Sequence, residues 1–239
     1  MEWFEAVERI QPYVFKISTP HGSGTGFIVS NKTDNDICGV ATANHVIEHA
    51  NYWEEPIRLD HIISGKSIVA RKDQRAIFSD TNLDTAAILF ERDDLELPSE
   101  MMPLAPKDTY LKVGNDIGWL GFPAIPGANL CFFGGKISAW VPEQQAYLVD
   151  GVAINGVSGG PAFCILDNIL TIIGVVSAYV PNRAMGEALP GLAVVRGVKQ
   201  FHELAPTFDS IGQAKSQETV PIAPPPEGEQ KGTVSKRAT

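Results

Sequence analysis

Apolar positions near the start of the chain recur at helical spacing. Trp3, Phe4, Val7 and Ile10 are interleaved with Glu2, Glu5, Glu8 and Arg9, which predicts a short amphipathic helix within residues 1–11. From Val14 the texture changes. Short apolar runs rich in Val and Ile are punctuated by Gly, Asn, Asp and Pro: VFKIS, TGFIVS, ICGVATA, IRLDHII, AIFS and TAAILF. That pattern predicts six short strands within residues 12–95. The segment RDDLELPSEMMPLAPKDTYLK breaks it with acids and three prolines, so residues 96–112 are expected to connect two halves. A second set follows within residues 113–205: DIGWLGF, LCFFGGKISAW, AYLVDG, PAFCIL, LTIIGVVSAYV and GLAVVRG, closed by a helix in RGVKQFHEL. Two such sets predict an all-β fold of two packed six-stranded barrels with short terminal helices, although no internal sequence repeat relates the halves. Beyond Pro206 the apolar content collapses, and residues 206–239 are expected to be a disordered Pro-rich tail. The run Pro224, Pro225, Pro226 within it is a candidate docking segment for a partner.

Composition narrows the function classes. Of 239 residues, 19 are basic and 28 acidic, for a net charge of −9. That balance, with no Lys/Arg cluster, argues against a phosphate backbone as partner, so no nucleic-acid binding is expected. The 22 glycines and 17 prolines suit a turn-rich β fold. Cys38, Cys131 and Cys164 each sit in an apolar run without a CxxC partner and are expected to be reduced, buried thiols. Three such thiols fit a reducing compartment, hence a cytoplasmic location. The N-terminus has acids and no uninterrupted apolar core, so no secretory leader is expected, and no membrane span.

Three local motifs carry candidate chemistry. In ATANHVIEH, His45 follows a strand that ends in small residues. In TNLDTAAILF, Asp84 opens an apolar strand after a polar turn. In GVSGGPAF, Ser158 lies in a glycine-rich loop that runs into another strand. Taken singly, these fit a strand-end histidine, a turn aspartate and a tight turn or anion-holding nest. Together, in the order His, Asp, Ser, they suggest a serine nucleophile, an imidazole base that titrates near neutral pH, and a carboxylate to orient it.

TANHV, LDTAAIL and GVSGGP resemble the three motifs of chymotrypsin-like serine proteases. The GSGTGFIV strand before the histidine, without a disulfide framework, makes the chain most similar to bacterial trypsin-like and HtrA-type members lacking a PDZ module. The resemblance covers roughly residues 12–200. It implies a double Greek-key barrel and a catalytic triad of His45, Asp84 and Ser158, with oxyanion donors on the backbone of Gly156 and Ser158. It also implies that Ser177 backs the aspartate and starts the strand that pairs with substrate. The pocket for the residue before the cut would have Val152 at its base and Ser177, Ala178 and Tyr179 in its walls. Val152 supplies no carboxylate, so small or medium apolar residues are expected there, although Asp150 is near in sequence. Val157 replaces the acid that pairs with a new N-terminus in digestive relatives, so the oxyanion loop is expected to be set by packing or by a regulatory protein partner. The substrate would be a protein or peptide, and no cofactor is implied.

Two rivals differ in kind. GVSGG also satisfies the nucleophile elbow of α/β-hydrolases, which needs a strand–Ser–helix turn and the order Ser, acid, His. A trypsin-type barrel pair can instead bind peptides with its catalysis silenced. His21, His49, His61 and His202 lack metal-ligand spacing with Cys, Asp or Glu, and no metal site is expected.

Overall fold

The apolar runs become strands of two antiparallel sheets. The computed structural model describes residues 1–32, 36–184 and 187–218. The first half holds α1 (Trp3–Ile10), β1 (Val14–Thr19), β2 (Gly22–Lys32), β3 (Ile37–Thr42), α2 (Asn44–Tyr52), β4 (Ile57–His61), β5 (Lys66–Ala70), β6 (Arg75–Asp80) and β7 (Thr85–Glu91). The second holds β8 (Asp116–Gly121), β9 (Cys131–Val141), β10 (Ala146–Asp150), β11 (Pro161–Leu166), β12 (Ile169–Ala184), β13 (Glu187–Gly197) and α3 (Lys199–Glu218).

The second half is a closed barrel in the order β10-β13-β12-β11-β8-β9. The first is a curved sheet in the order β5-β4-β1-β2-β3-β7-β6. Aligning β1–β4 with β8–β11, and β6 and β7 with β12 and β13, gives the same neighbours in both, except that β12 pairs with β11 while β6 does not reach β4. The internal duplication that the sequence hides is therefore plain in the topology. The first half differs from the six-strand expectation in having seven strands and an open corner. The missed strand is β5, whose side chains alternate between half-buried and exposed until Ala70, so its apolar signal is weak. At the corner, Arg75 donates to the carbonyls of Ala70, Glu55 and Ala50 at 2.7–3.1 Å, filling the gap between β5 and β6 with a cation rather than with strand pairing.

Strands β3 and β7 show why two halves pack as one body. Cys38, Val40, Ala86, Ile88 and Phe90 point into the interior of the first half. Their alternates Ile37, Ala41, Ala87 and Leu89 join a core shared with the second barrel and α3. A sheet covered on both faces needs continuous apolar strands, and TAAILF is one. The connector is tied to each half: Asn31 donates to the Pro98 carbonyl at 2.8 Å, and Leu104 bridges Ile172 of β12. Helix α1 lays Ala6 and Ile10 against Leu120, Phe122 and Phe163, while Phe4 falls outside the buried stripe and is exposed. Cys38 and Cys164 are buried free thiols, pushed up by that burial to about 12 and about 11, and Cys131 is a free thiol at the start of β9. Among the described residues, no helix is long and apolar enough to cross a membrane.

The expected disorder from residue 206 is corrected: α3 continues through Pro206 to Glu218. Proline removes one helical N–H donor, but Phe201, Leu204, Phe208 and Ile211 keep the apolar stripe at three- and four-residue spacing across it. Phe208 is buried and meets Phe78 edge-on at 5.8 Å, which docks the helix of the second half onto the first sheet. The proline run at 224–226 lies outside the described residues. Truncating this contact is expected to be costly. Phe208→Ala should lower stability by about 3 kcal/mol and the melting temperature by about 6–12 °C. A melting curve within a degree or two of wild type would mean that α3 past Pro206 carries no packing.

Candidate active site

The ends of β3 and β7 are neighbours in the first sheet, with Thr42 opposite Ala86 as their last pair. His45 stands at the second position of α2, just beyond β3, and Asp84 ends the turn just before β7. That turn is shaped by Asp80, whose Oδ1 accepts the N–H groups of Asn82 and Leu83 at 2.9 and 3.0 Å. Asp84 itself has φ +50°, a region that aspartate tolerates better than branched residues. The result is a tight pair. His45 Nδ1 lies 3.0 and 2.9 Å from the two Asp84 carboxylate oxygens, and the His45 backbone N–H donates to Oδ1 at 3.0 Å.

From the second barrel, the Ser177 hydroxyl donates to Asp84 Oδ2 at 2.5 Å. Burial pushes the Asp84 carboxyl up, but the hydrogen bonds from His45 and Ser177 outweigh it and hold the group below the ordinary aspartate value. The depressed value means that the ionised carboxylate stabilises the fold. That contribution is present above the ordinary carboxylate pKa and is lost as pH falls through the folded value. An ionised carboxylate only accepts, so the shared proton sits on Nδ1, and in the neutral imidazole Nε2 is then the acceptor.

Ser158 lies in the loop between β10 and β11, and its hydroxyl donates to the Ser177 carbonyl at 3.2 Å. The loop backbone is held carbonyl by carbonyl. Asn155 O accepts from Ala124 N at 2.8 Å, and Gly156 O from the Thr25 hydroxyl at 2.8 Å. Val157 O accepts from Gly160 N at 3.0 Å, and Ser158 O from Thr25 N at 2.8 Å. With those carbonyls anchored, the N–H groups of Gly156 and Ser158 have no acceptor among the described residues, and both residues line the cleft. Two glycines permit this path. Gly156 and Gly159 both have φ +89°, and a Cβ would come within 2.3 Å of Phe122 O at the first and 2.0 Å of Thr25 O at the second. Val157 is fully buried beneath the loop.

A depression of about 260 Å³ beside Ser158 is lined by His45, Ala153, Ile154, Asn155, Ser158, Val176, Ser177 and Ala178. Ser177 and Ala178, expected in the pocket walls, are among these residues. Val152 is not: it is 51% exposed and absent from the lining, because the loop turns so that Ala153 and Ile154 face the depression. Asp150 is exposed at the end of β10 and likewise does not line it. The side chain of Tyr179 lies outside the described residues. Both flanks of Ser158 are strands of an antiparallel barrel, which excludes the strand–Ser–helix elbow of an α/β-hydrolase.

The sequence reading missed Thr25. Fully buried, its hydroxyl donates to Gly156 O and accepts from Phe122 N at 2.9 Å, and its carbonyl accepts from the Thr42 hydroxyl at 2.7 Å. A single threonine in a Gly-rich strand gives no local sign of bridging 131 residues to the loop of Ser158. Of the remaining histidines, His61 is buried between Ser64 and the Pro12 carbonyl rather than on a strand surface, and His202 contacts the Ala105 carbonyl at 2.8 Å.

Residues 24–172, more than half of the chain, match the trypsin-like peptidase domain family, a span that includes His45, Asp84 and Ser158. No curated protein sequence matches the chain. Solved structures with the same architecture include Rv3671c from M. tuberculosis H37Rv in an inactive form, with 22% identity and a TM-score of 0.57, covering 91% of this chain and 93% of that one. A serine endoprotease from Yersinia pestis shares 19% identity over 89% of this chain and 68% of its own, with a TM-score of 0.64. The HtrA-type protease AlgW with a tripeptide shares 21% over 89% and 65%, with a TM-score of 0.65. At these identities the likeness concerns the fold.

Thr25 acts on the loop rather than on a ligand, so its loss should appear in turnover. Thr25→Val strands the buried Gly156 carbonyl and Phe122 N–H, each costing about 1–3 kcal/mol. A fall in kcat of about ten- to a hundredfold is expected, with KM within about threefold, and Thr25→Ser should restore most of it. Unchanged kcat in Thr25→Val would show that the loop holds its shape without the threonine.

Proposed function

This chain belongs to the trypsin-like peptidase family and is a serine protease, and from that premise we propose that it is an endopeptidase working through His45, Asp84 and Ser158. One observation carries the assignment: the Asp84-bound imidazole of His45, the Ser158 hydroxyl and two N–H groups without an acceptor among the described residues open onto one cleft. The resting hydroxyl is bonded to the Ser177 carbonyl, and the reaction requires it to turn about its Cα–Cβ bond toward Nε2, as catalytic contacts often tighten only with substrate bound. His45 then takes the hydroxyl proton as Ser158 Oγ bonds to the peptide carbonyl carbon. The carbonyl oxygen gains the negative charge and accepts from Gly156 N–H and Ser158 N–H. The imidazolium, steadied by Asp84, gives its proton to the leaving amine as the C–N bond breaks. Water repeats the sequence on the acyl-enzyme and frees the acid product.

The lining of the depression supports small or medium apolar residues before the cut. Ala153, Ile154, Val176 and Ala178 supply apolar surface, and among the described residues no carboxylate lines it to pair a substrate cation. The anchored carbonyls of residues 155–158 support a loop set by packing, so the isolated chain needs neither a regulatory partner nor a freed N-terminus to turn over substrate. Buried Val157 has no carboxylate to receive such an ammonium.

Turnover of a quenched peptide should fall by about 10⁶ in Ser158→Ala and His45→Ala and by about 10⁴ in Asp84→Asn, with melting temperatures of the first two near wild type. Cleavage by purified Ser158→Ala at the wild-type rate would remove Ser158 as nucleophile, and no cleavage by the wild-type chain would leave the silent peptide-binding reading. A peptide library should show cleavage after Ala, Val or Leu favoured over Lys or Arg by at least about tenfold. Preferential cleavage after Lys or Arg would mean that a carboxylate reaches the pocket.

A further inference from the structure

Three side chains that proteolysis does not use converge at the rim of the cleft. His21 lies in the turn between β1 and β2, His49 in the last turn of α2, and Glu55 in the loop that follows α2. The sequence reading found no metal-ligand spacing for these histidines, but the fold brings their rings together, with centroids 3.8 Å apart and planes tilted by 50°. His21 Nε2 is 3.2 Å from Glu55 Oε1, and His49 Nδ1 is 3.2 Å from Glu55 Oε2. The donor atoms of all three lie within 4.8 Å of one another.

Those distances suit a metal ion. A tetrahedral zinc centre with ligand distances of about 2.0–2.1 Å requires donor atoms roughly 3.3 Å apart. Each imidazole nitrogen already lies at nearly that distance from one oxygen of the Glu55 carboxylate, and one donor atom from each of the three residues lies within 4.8 Å of the others, so closing on one ion needs only small swings of imidazoles whose side chains are 54% and 49% exposed. The carboxylate is held in place from behind, since the Glu55 N–H donates to the Ala50 carbonyl at 2.9 Å. Exposed hydrogen bonds contribute little to stability. They give no reason for two imidazoles to face, ring against ring, the separate oxygens of one carboxylate.

We propose that His21, His49 and Glu55 form a binding site for a divalent transition metal of the zinc class, with one coordination position left for water or a substrate group. Two imidazoles and one carboxylate select zinc, copper or nickel over magnesium or calcium. The position gives the site a consequence. His49 is one helical turn beyond His45, and a cleft of about 440 Å³ is lined by His21 and His49 together with His45, Gly156 and Ser158. It lies across Ser158 from the apolar depression, so under the protease reading it receives the leaving-group half of the substrate. An ion there narrows that channel.

Binding is measured directly, so the site stands or falls independently of catalysis. Isothermal titration of the full chain with zinc chloride should give one equivalent with a dissociation constant of about 10 μM or tighter. His21→Ala, His49→Ala and Glu55→Gln should each weaken it at least about tenfold, while Cys131→Ser and His202→Ala leave it unchanged. Cobalt(II) added to the wild-type chain should develop the intense visible bands of a four-coordinate nitrogen and oxygen site, a readout that needs no variant. Zinc affinity unaltered in the His21→Ala, His49→Ala double variant overturns the proposal. So does a cobalt spectrum identical to that of the hydrated ion.

Discussion

Thr25 fastens the nucleophile loop of one barrel to a strand of the other. Its N–H holds the Ser158 carbonyl, its hydroxyl holds the Gly156 carbonyl and receives Phe122 N–H, and its carbonyl receives the Thr42 hydroxyl. The three bonds that involve a threonine hydroxyl are buried, where an unmet polar group is expensive, so the loop has few alternative paths that leave them satisfied. The close approach explains the glycines around the serine. Gly159 lies so near Thr25 O that no side chain fits, and a Cβ at Gly24 would meet the Val46 side chain at 2.6 Å. With its carbonyls turned toward Thr25, Ala124 and Gly160, the loop presents its N–H groups to the cleft.

The two halves divide the chemistry. The first sheet sets the His45–Asp84 pair at the adjacent ends of β3 and β7, and the second barrel supplies Ser158 and the Ser177 contact to Asp84. Neither half holds a complete site. Their relative placement rests on the shared core beneath β3 and β7, on α3 through Phe208, and on Thr25. A covered sheet face contributes most of that cohesion, since apolar burial scales with area while each hydrogen bond nets little. Hydrogen bonds decide the geometry that the apolar contact leaves open.

Local chemistry was legible in the sequence where neighbours in the chain carry it. TANHV, LDTAAIL and GVSGGP each hold their residue beside the turn that positions it, and twelve of the thirteen strands announce themselves by apolar runs. Long-range chemistry was not legible. Thr25 looks like any strand threonine, and His21, His49 and Glu55 meet only because β1, β2 and α2 fold onto one another. Strand β5 escaped notice because one of its faces is solvated. Helix α3 was cut short because Pro206 outweighed the stripe that Phe208 and Ile211 continue. Val152 was misplaced because counting back from a nucleophile assumes a loop shape that residues 151–155 do not adopt. The duplicated strand order leaves no trace in the sequence because backbone pairing tolerates very different side chains.

The claim that Thr25 sets a competent oxyanion loop in the isolated chain is tested most directly by the rate of organophosphonate labelling, with the adduct mapped by mass spectrometry. The reagent needs both an activated serine and the two N–H groups that receive the developing charge. The account predicts one adduct, on Ser158, formed without added partner, and formed at least about tenfold more slowly in Thr25→Val than in wild type or Thr25→Ser. Labelling of Thr25→Val at the wild-type rate, or no adduct on Ser158 in the wild-type chain, would contradict it.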